Sequence, residues 1–203
     1  MAIKPILFNT EMVRAILNGR KSCTRRILKG GIPFDEKAEY WNVLKKGEWS
    51  GPICSEYFIK QCSPYKPGDI LYVRETWSLR FDGEKCFYKA DKNTSREEKC
   101  LLDYDDVRWH PSIHMPKEAA RIFLRVTNVR VERLQEITSE QICKEGVEVE
   151  EPYVLNGEEK RYAFSNLWNS TIKKSDLDRY GWDALPWVWV IEFERCEKPK
   201  GEN

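Results

Sequence analysis

The sequence lacks two features that would point directly to a function. It has no excess of one charge, because 34 lysines and arginines stand against 33 aspartates and glutamates among 203 residues, for a net charge of +1. It also has no apolar run near the roughly 20 residues that are needed to cross a bilayer. We therefore expect neither a protein that binds nucleic acid through its overall charge nor a membrane protein.

Signals of secretion and of metal binding are also missing. Seven cysteines form an odd set without a Cys-x-x-Cys pair, and the N-terminal residues lack the apolar run of a secretory signal, which predicts reduced thiols and a cytoplasmic location. Cys54 and Cys62 do not have the spacing of a common zinc site, and Pro111 separates His110 from His114. No metal or other cofactor is expected.

The order of predicted elements indicates one α+β domain over residues 1–203. Scattered strands and short helices, without alternating βαβ units, favour a small, partly closed β-barrel that is decorated with helices. Two polar stretches, at about 30–66 and 91–116, are predicted to be insertions with little regular structure.

Further along the chain, the apolar spacing predicts a long strand at 120–134 and a final strand at 187–193. The alternation of the long strand slips near Thr127 and Asn128, as at a bulge or bend. A capping box at Thr138-x-x-Gln141 predicts a helix that ends at Gly146.

The most unusual segment is Gly19–Arg26, which combines four cations with hydroxyl groups and a thiol. It follows a short amphipathic helix for which Thr10 is the predicted N-cap. Gly19 is expected to end that helix in the left-handed conformation, and a short strand is predicted at 24–28. Taken alone, such a segment is more often a solvated basic turn.

Glu75 has the most unusual predicted environment. A turn at Lys66–Asp69 starts a strand over 70–77, whose period of two gives it two faces. The face of Glu75 also holds Leu71, Val73 and Trp77. A carboxylate on such a face is directed to the interior, where it needs a partner or a raised pKa. Lys21 is the expected partner, and an exposed glutamate at the strand's end is the alternative.

Two motifs together resemble the ASCH-domain family, whose fold is a β-barrel similar to the PUA domain of RNA-modifying proteins. They are Gly19-x-Lys21-x-x-Thr24-x-Arg26 and Pro67-Gly68-Asp69-x-Leu71-x-Val73-x-Glu75. The family signature is Gly-x-Lys-x-x-Glu-x-Arg, and the threonine at its glutamate position is shared by the bacterial acetylcytidine amidohydrolases of the family. Over most of its length the sequence looks closer to ASCH-like proteins of phages and prophages.

The resemblance implies an enzyme that removes the acyl group from the exocyclic amine of acetylcytidine or a related modified nucleoside. Lys21, Thr24 and Glu75 match the catalytic base, the nucleophile and the group that holds or protonates the leaving amine. The expected substrate-binding residues are Arg25, Arg26, Arg74, Tyr72 and Trp77. The ligand is then a nucleoside or single-stranded RNA.

Two other functions remain open. In a binding module without chemistry, phosphates would be contacted by Arg20, Arg25, Arg26 and Arg74, and bases would stack on Trp41, Trp49, Trp77 or Trp109. In a ribonuclease, which the family resemblance also permits, His110 or His114 would act as acid or base. Cys23 is more often a small buried residue in such a position than a reactive thiol.

Overall fold

A computed structural model describes residues 1–29, 34–35, 40–45, 48–79, 86–91, 108–148 and 158–199. The mixed α+β class is confirmed. The strands are β1 (Ile3–Leu7), β2 (Cys23–Ile27), β3 (Phe34–Asp35), β4 (Tyr40–Lys45), β5 (Glu48–Ile53), β6 (Ile70–Arg74), β7 (Trp77–Leu79), β8 (Cys86–Tyr88), β9 (Phe123–Arg133) and β10 (Trp187–Cys196). The helices are α1 (Thr10–Leu17), α2 (Ser55–Cys62), α3 (Ser139–Lys144), α4 (Glu158–Thr171) and α5 (Leu177–Tyr180).

A five-stranded mixed sheet has the order β1-β6-β9-β10-β2. β1 runs parallel to β6, β6 pairs with β9 in the antiparallel sense, and β10 pairs with β2 in the same way. The chain divides into two compact units, the first holding residues 1–22, 68–125 and 194–203, and the second holding 23–67 and 126–193. The single domain and the partly closed barrel stay predictions.

In the first unit, the helix before the basic segment forms where it was predicted, but its N-cap is Asn9 rather than Thr10. The Asn9 side chain accepts a hydrogen bond of 2.9 Å from the backbone N–H of Met12, which satisfies one of the free donors of the first turn. Gly19 has a φ of +73°, which confirms the left-handed end of the helix.

The strand predicted at 70–77 is divided in two. β6 ends at Arg74, and β7 begins at Trp77 and forms a hairpin with β8. The predicted alternation persists through the break, because Leu71, Val73, Glu75 and Trp77 are all buried. Trp77 packs in an apolar cluster with Ile70, Met115, Ala120 and Phe123.

In the second unit, a core lies between the helices and the adjacent strands β10 and β2. It contains Cys23, Leu134, Ile137, Ile142, Phe164, Trp168, Val188 and Val190. The capping box of α3 is confirmed, since Thr138 accepts from the Gln141 N–H and the Gln141 side chain accepts from the Thr138 N–H. Gly146 follows with a φ of +84°.

The stretch at 30–66 has more regular structure than the sequence predicted. β3, β4 and β5 form a small antiparallel sheet, and α2 follows. Trp41 stacks on Phe58 at 4.4 Å between ring centroids, and Phe58 stacks on Trp189 at 5.3 Å. These large rings attach the stretch to the core, although the residues around them are polar. Most of the second predicted insertion, residues 92–107, lies outside the described residues.

β9 confirms the predicted slip in alternation. Leu124 and Val126 are buried, Thr127 and Asn128 are both exposed, and burial resumes at Val129. Among the described residues, every helix is too short or too polar to cross a bilayer.

Gly181 lies where a side chain would collide with the backbone of the preceding helix. It follows α5, and its N–H donates to the carbonyl oxygen of Leu177 at 2.8 Å. A Cβ atom at this position would lie 2.6 Å from that same oxygen. Because the contact is with backbone, a larger residue requires the end of α5 to move.

We expect Gly181→Ala to lower the free energy of unfolding by about 2 kcal/mol or more, as overpacking does. Gly68→Ala is the control, because Gly68 has a φ of +87° but open space around its Cβ position. It should cost about 1 kcal/mol through backbone strain alone. Urea denaturation followed by circular dichroism compares the two, and equal losses would contradict the steric account.

Candidate functional site

The three residues of the predicted catalytic set are all buried. The described residues include eight polar or charged residues that are buried, and Lys21, Thr24 and Glu75 are three of them, with 3%, 1% and 1% of their surface exposed. Lysine and glutamate are rarely buried without a specific reason, because removing their charges from water costs several kcal/mol. Their burial therefore separates the motif from a solvated basic turn.

Glu75 follows the last residue of β6, and its carboxylate is held by an arginine that the sequence did not identify. Arg121 donates from Nε to Oε1 at 2.9 Å and from Nη2 to Oε2 at 3.1 Å. This two-pronged geometry matches a guanidinium to both oxygens of a carboxylate. Among the described residues the ion partner of Glu75 is Arg121, whereas the sequence predicted Lys21.

Arg121 is itself fixed from two further directions. Its Nη1 contacts the Asp91 carboxylate at 2.7 Å, and its guanidinium carbon lies 3.8 Å above the centre of the Tyr88 ring. The Tyr88 hydroxyl donates to the carbonyl oxygen of Ala119 at 2.8 Å, which holds the ring in place. Asp91 and the Tyr88 ring thus hold Arg121 in place, and Arg121 in turn holds the Glu75 carboxylate.

Burial raises the pKa of the Glu75 carboxyl above its ordinary value, against the hydrogen bonds and the charge of Arg121, which lower it. For Arg121 the balance is reversed. Burial lowers the pKa of its guanidinium, but the hydrogen bonds and charges of Glu75 and Asp91 outweigh that effect and raise it. Arg121 is therefore a permanent cation. It lies beside a carboxyl group whose ionisation is opposed by burial.

Lys21 reaches the end of the sheet at which Glu75 stands. Its Nζ lies 5.5 Å from the centre of the Phe8 ring. The Phe8 N–H donates to the carbonyl oxygen of Arg74, the residue before Glu75, at 3.2 Å. Because β1 and β6 are parallel, Phe8 and Glu75 follow strands that end at the same edge.

Thr24 lies in the second unit, within β2, where it is opposite Ile191 of β10. Its neighbour Arg25 is also buried, and there the guanidinium has three internal acceptors. Nη1 donates to Glu145 at 3.0 Å, and Nη2 donates to Gln141 at 3.0 Å and to Glu132 at 3.3 Å. These contacts give Arg25 a role in holding α3 against β2, and its contact with substrate stays a prediction.

Arg26 is half-buried, and its Nη1 donates to the carbonyl oxygen of Arg25 at 3.3 Å. Burial lowers the pKa of its guanidinium, opposed by Tyr65 and Glu145. Burial likewise raises the pKa of the Tyr65 hydroxyl, opposed by the positive charge of Arg26. A cation beside a phenol is a suitable anion-binding pair, but a role for Arg26 in binding substrate is untested.

The remaining predicted binding residues support the fold of the first unit. Arg74 donates from Nε to the carbonyl oxygen of Met115 at 2.8 Å, and its Nη2 donates to that of Ile113. Tyr72 is half-buried against the cluster around Trp77. The Trp77 ring is buried, and lies 5.3 Å from the His110 ring.

Three of the four tryptophans considered for base stacking, Trp41, Trp77 and Trp109, have described side chains. Trp41 is buried with its ring stacked on Phe58, so stacking on a nucleic-acid base is wrong for Trp41. Trp109 is half-buried, and the side chain of Trp49 lies outside the described residues. Within the described ranges, no group of three or more histidine, cysteine, aspartate or glutamate side chains could hold a metal ion.

Comparisons with known proteins give a limited match. No family model and no curated protein matches the chain. A solved ASCH domain from Lactobacillus crispatus JV V101 is 13% identical, with a TM-score of 0.36 over 96% of this chain and 79% of that one. The hypothetical protein PH0355 is 17% identical, with a TM-score of 0.36 over 97% of this chain and 100% of that one.

The raised pKa of Glu75 predicts a specific pH dependence. The folded protein binds a proton at Glu75 more tightly than the unfolded chain does, so this group stabilises the fold less as the pH rises from 4.5, the ordinary carboxyl value, through the raised pKa. The Glu75→Gln variant has no ionisable side chain at this position and therefore lacks this pH dependence. Urea denaturation at a series of pH values should therefore show the wild type losing stability relative to Glu75→Gln as the pH rises. A difference that stays constant or changes in the opposite direction would refute the assignment.

The contacts of Arg25 predict a large structural effect. Arg25→Gln removes the cation paired with the buried Glu145, and we expect a loss of about 3–5 kcal/mol in the free energy of unfolding. Arg125→Gln is the matched control, because Arg125 and its partner Glu194 are exposed and 3.9 Å apart. That change should cost less than about 1 kcal/mol. Similar stabilities of the two variants in urea would show that Arg25 is not a structural residue.

Proposed function

We propose that the protein hydrolyses the acyl group from the exocyclic amine of acetylcytidine or a related modified nucleoside. The observation that carries the proposal is the burial of Glu75, with its carboxylate fixed by Arg121 at the end of the sheet that Lys21 also reaches. The partly closed, PUA-like barrel and the use of a nucleoside or single-stranded RNA as substrate belong to this proposal.

Glu75 serves as a fixed hydrogen-bond acceptor. Each of its carboxylate oxygens accepts one hydrogen bond from Arg121 and has a further lone pair. The N–H of an acylated exocyclic amine is a donor that such an oxygen recognises. Because the carboxylate does not need to reorganise when the substrate binds, it can orient the bond to be broken.

In the proposed reaction Thr24 attacks the acyl carbonyl carbon, and Lys21, in its neutral form, takes the proton from the hydroxyl. The bond between the carbonyl carbon and the amine then breaks. The amine leaves with the proton that Lys21 carries, while Glu75 accepts its hydrogen bond. Water hydrolyses the acyl-threonine to release the carboxylic acid, and Arg26 or a backbone N–H stabilises the oxyanion.

The pairing of Glu75 with Arg121 supports this division of roles. A lysine that acts as a base must lose its proton, and a carboxylate in direct contact would oppose that loss. Glu75 is instead paired with Arg121, whose Nε lies 2.9 Å from its Oε1. Thr24 enters the proposal through the motif, in which it stands three residues after Lys21.

Binding without chemistry is the second candidate, and one observation favours it. With both oxygens engaged by Arg121, Glu75 is better suited to accept a hydrogen bond than to transfer a proton. A site of this kind recognises the amine of cytidine in RNA equally well. The ribonuclease alternative, with His110 or His114, has no further support from the contacts described above.

We expect purified protein to convert acetylcytidine to cytidine and acetate, as measured by chromatography. Lys21→Met, Thr24→Val and Glu75→Gln should each lower kcat/KM by about 100-fold or more, which is the usual contribution of a base or nucleophile. Glu75→Gln should also raise KM, because the amide presents a weaker acceptor to the substrate.

Exposed residues of the same types supply the controls. Lys29→Met, Thr127→Val and Glu118→Gln make the same chemical changes at exposed positions and should leave the rate unchanged. Tight binding of cytidine without turnover would support the binding module instead. Turnover that survives both Lys21→Met and Glu75→Gln would overturn the proposed reaction.

A further inference from the structure

A pocket in the second unit is lined by two arginines and two aromatic rings. It has a volume of about 300 Å³ and lies between α5, the turn that follows α5, and the start of β10. Its charged residues are Arg133 and Arg179, and its aromatic residues are Tyr180 and Trp187. Because no carboxylate is among the described residues that line this pocket, it favours an anion, and the rings favour a ligand that is also planar and apolar in part.

The wall formed by α5 is held in place by hydrogen bonds to α4. The indole of Trp168 donates to the carbonyl oxygen of Tyr180 at 2.8 Å. The backbone N–H of Trp182 donates to the side chain of Asn169 at 2.8 Å. These bonds fix the backbone that carries Arg179 and Tyr180. This wall of the pocket is therefore ordered before a ligand binds, which lowers the entropic cost of binding.

The opposite wall is built around Arg133. Its guanidinium carbon lies 4.3 Å above the centre of the Trp187 ring, and its Nη1 donates to the carbonyl oxygen of Leu185 at 3.0 Å. Leu185 has a φ of +51°, a conformation that a leucine keeps only where its surroundings impose it. The left-handed turn directs this carbonyl oxygen to Arg133 and leaves the Leu185 side chain exposed at the rim.

Arg179 supplies the second cation. It is exposed, its guanidinium carbon lies 5.3 Å from the centre of the Tyr180 ring, and it has no carboxylate partner among the described residues. An exposed guanidinium of this kind can bind a phosphate through several N–H donors. The layer of Arg133 on Trp187 offers the type of surface on which nucleic-acid bases stack.

We propose that this pocket binds one nucleotide, with its phosphate on Arg179 and its base against the layer of Arg133 and Trp187. The nucleotide can be free or part of a single strand, since both present the same phosphate and base. This site goes beyond the proposed hydrolysis and shares no residue with it. The inference therefore stands or falls independently of acyl transfer.

Binding of cytidine 5′-monophosphate, measured by calorimetry, tests the inference with a ligand that has no acyl group. We expect it to bind at least tenfold more tightly than either cytidine or inorganic phosphate, since each of those offers only half of the recognised chemistry. Arg179→Gln should weaken binding of the nucleotide at least fivefold. Arg195→Gln, which removes an exposed arginine that does not line the pocket, should change it less than twofold.

Ala184→Leu provides a second test, because it fills the pocket without altering charge. This variant should also bind the nucleotide at least fivefold more weakly, and circular dichroism checks that it is folded. Binding of a fluorescently labelled hexacytidylate distinguishes a free nucleotide from a nucleotide within a single strand. If the strand binds more tightly than the mononucleotide, with an affinity that falls with salt, the occupant is RNA; equal affinities indicate a free nucleotide. Binding that is unaffected by both Arg179→Gln and Ala184→Leu, or equal binding of inorganic phosphate, would overturn the inference.

Discussion

The first unit depends on a carboxylate that is removed from water. Glu75 extends the apolar face of β6, and an ionised carboxylate in that position costs several kcal/mol unless a cation and hydrogen bonds replace its hydration. Arg121 supplies both, and Asp91 and Tyr88 in turn hold Arg121. One buried charge therefore holds Asp91, just after β8, and Arg121, just before β9, at the end of β6. Such a costly arrangement is typical of a site at which a carboxylate must be presented in a fixed orientation.

This constraint changes how the basic segment is understood. Three of its four cations have different surroundings. Lys21 reaches the end of β1 and β6, Arg25 joins β2 to α3 through Glu145, and Arg26 lies beside Tyr65. The segment thus combines a candidate catalytic group with a structural ion pair, whereas its composition alone is typical of a solvated basic turn.

Local patterns in the sequence were sufficient to predict the elements that carry the site. The alternation from Leu71 onward correctly placed Glu75 in the interior, and the capping box at Thr138 correctly placed α3. The partner of Glu75 could not be predicted, because Arg121 lies 46 residues away, where the chain carries no motif. The structural role of Arg25 could not be predicted either, because its acceptors Glu132, Gln141 and Glu145 lie more than 100 residues away. Contacts of that range are set by the pairing of β2 with β10 and by the packing of α3, which no local period encodes.

The proposed hydrolysis requires Glu75 to accept a hydrogen bond from the exocyclic amine of the substrate. The most direct measurement is a crystal structure of the Thr24→Val variant with acetylcytidine bound. The amide nitrogen of the ligand should lie within hydrogen-bond distance of a Glu75 oxygen, with Arg121 still bound to the carboxylate. A ligand bound elsewhere, with Glu75 contacted only by Arg121, would show that the buried pair serves the fold alone.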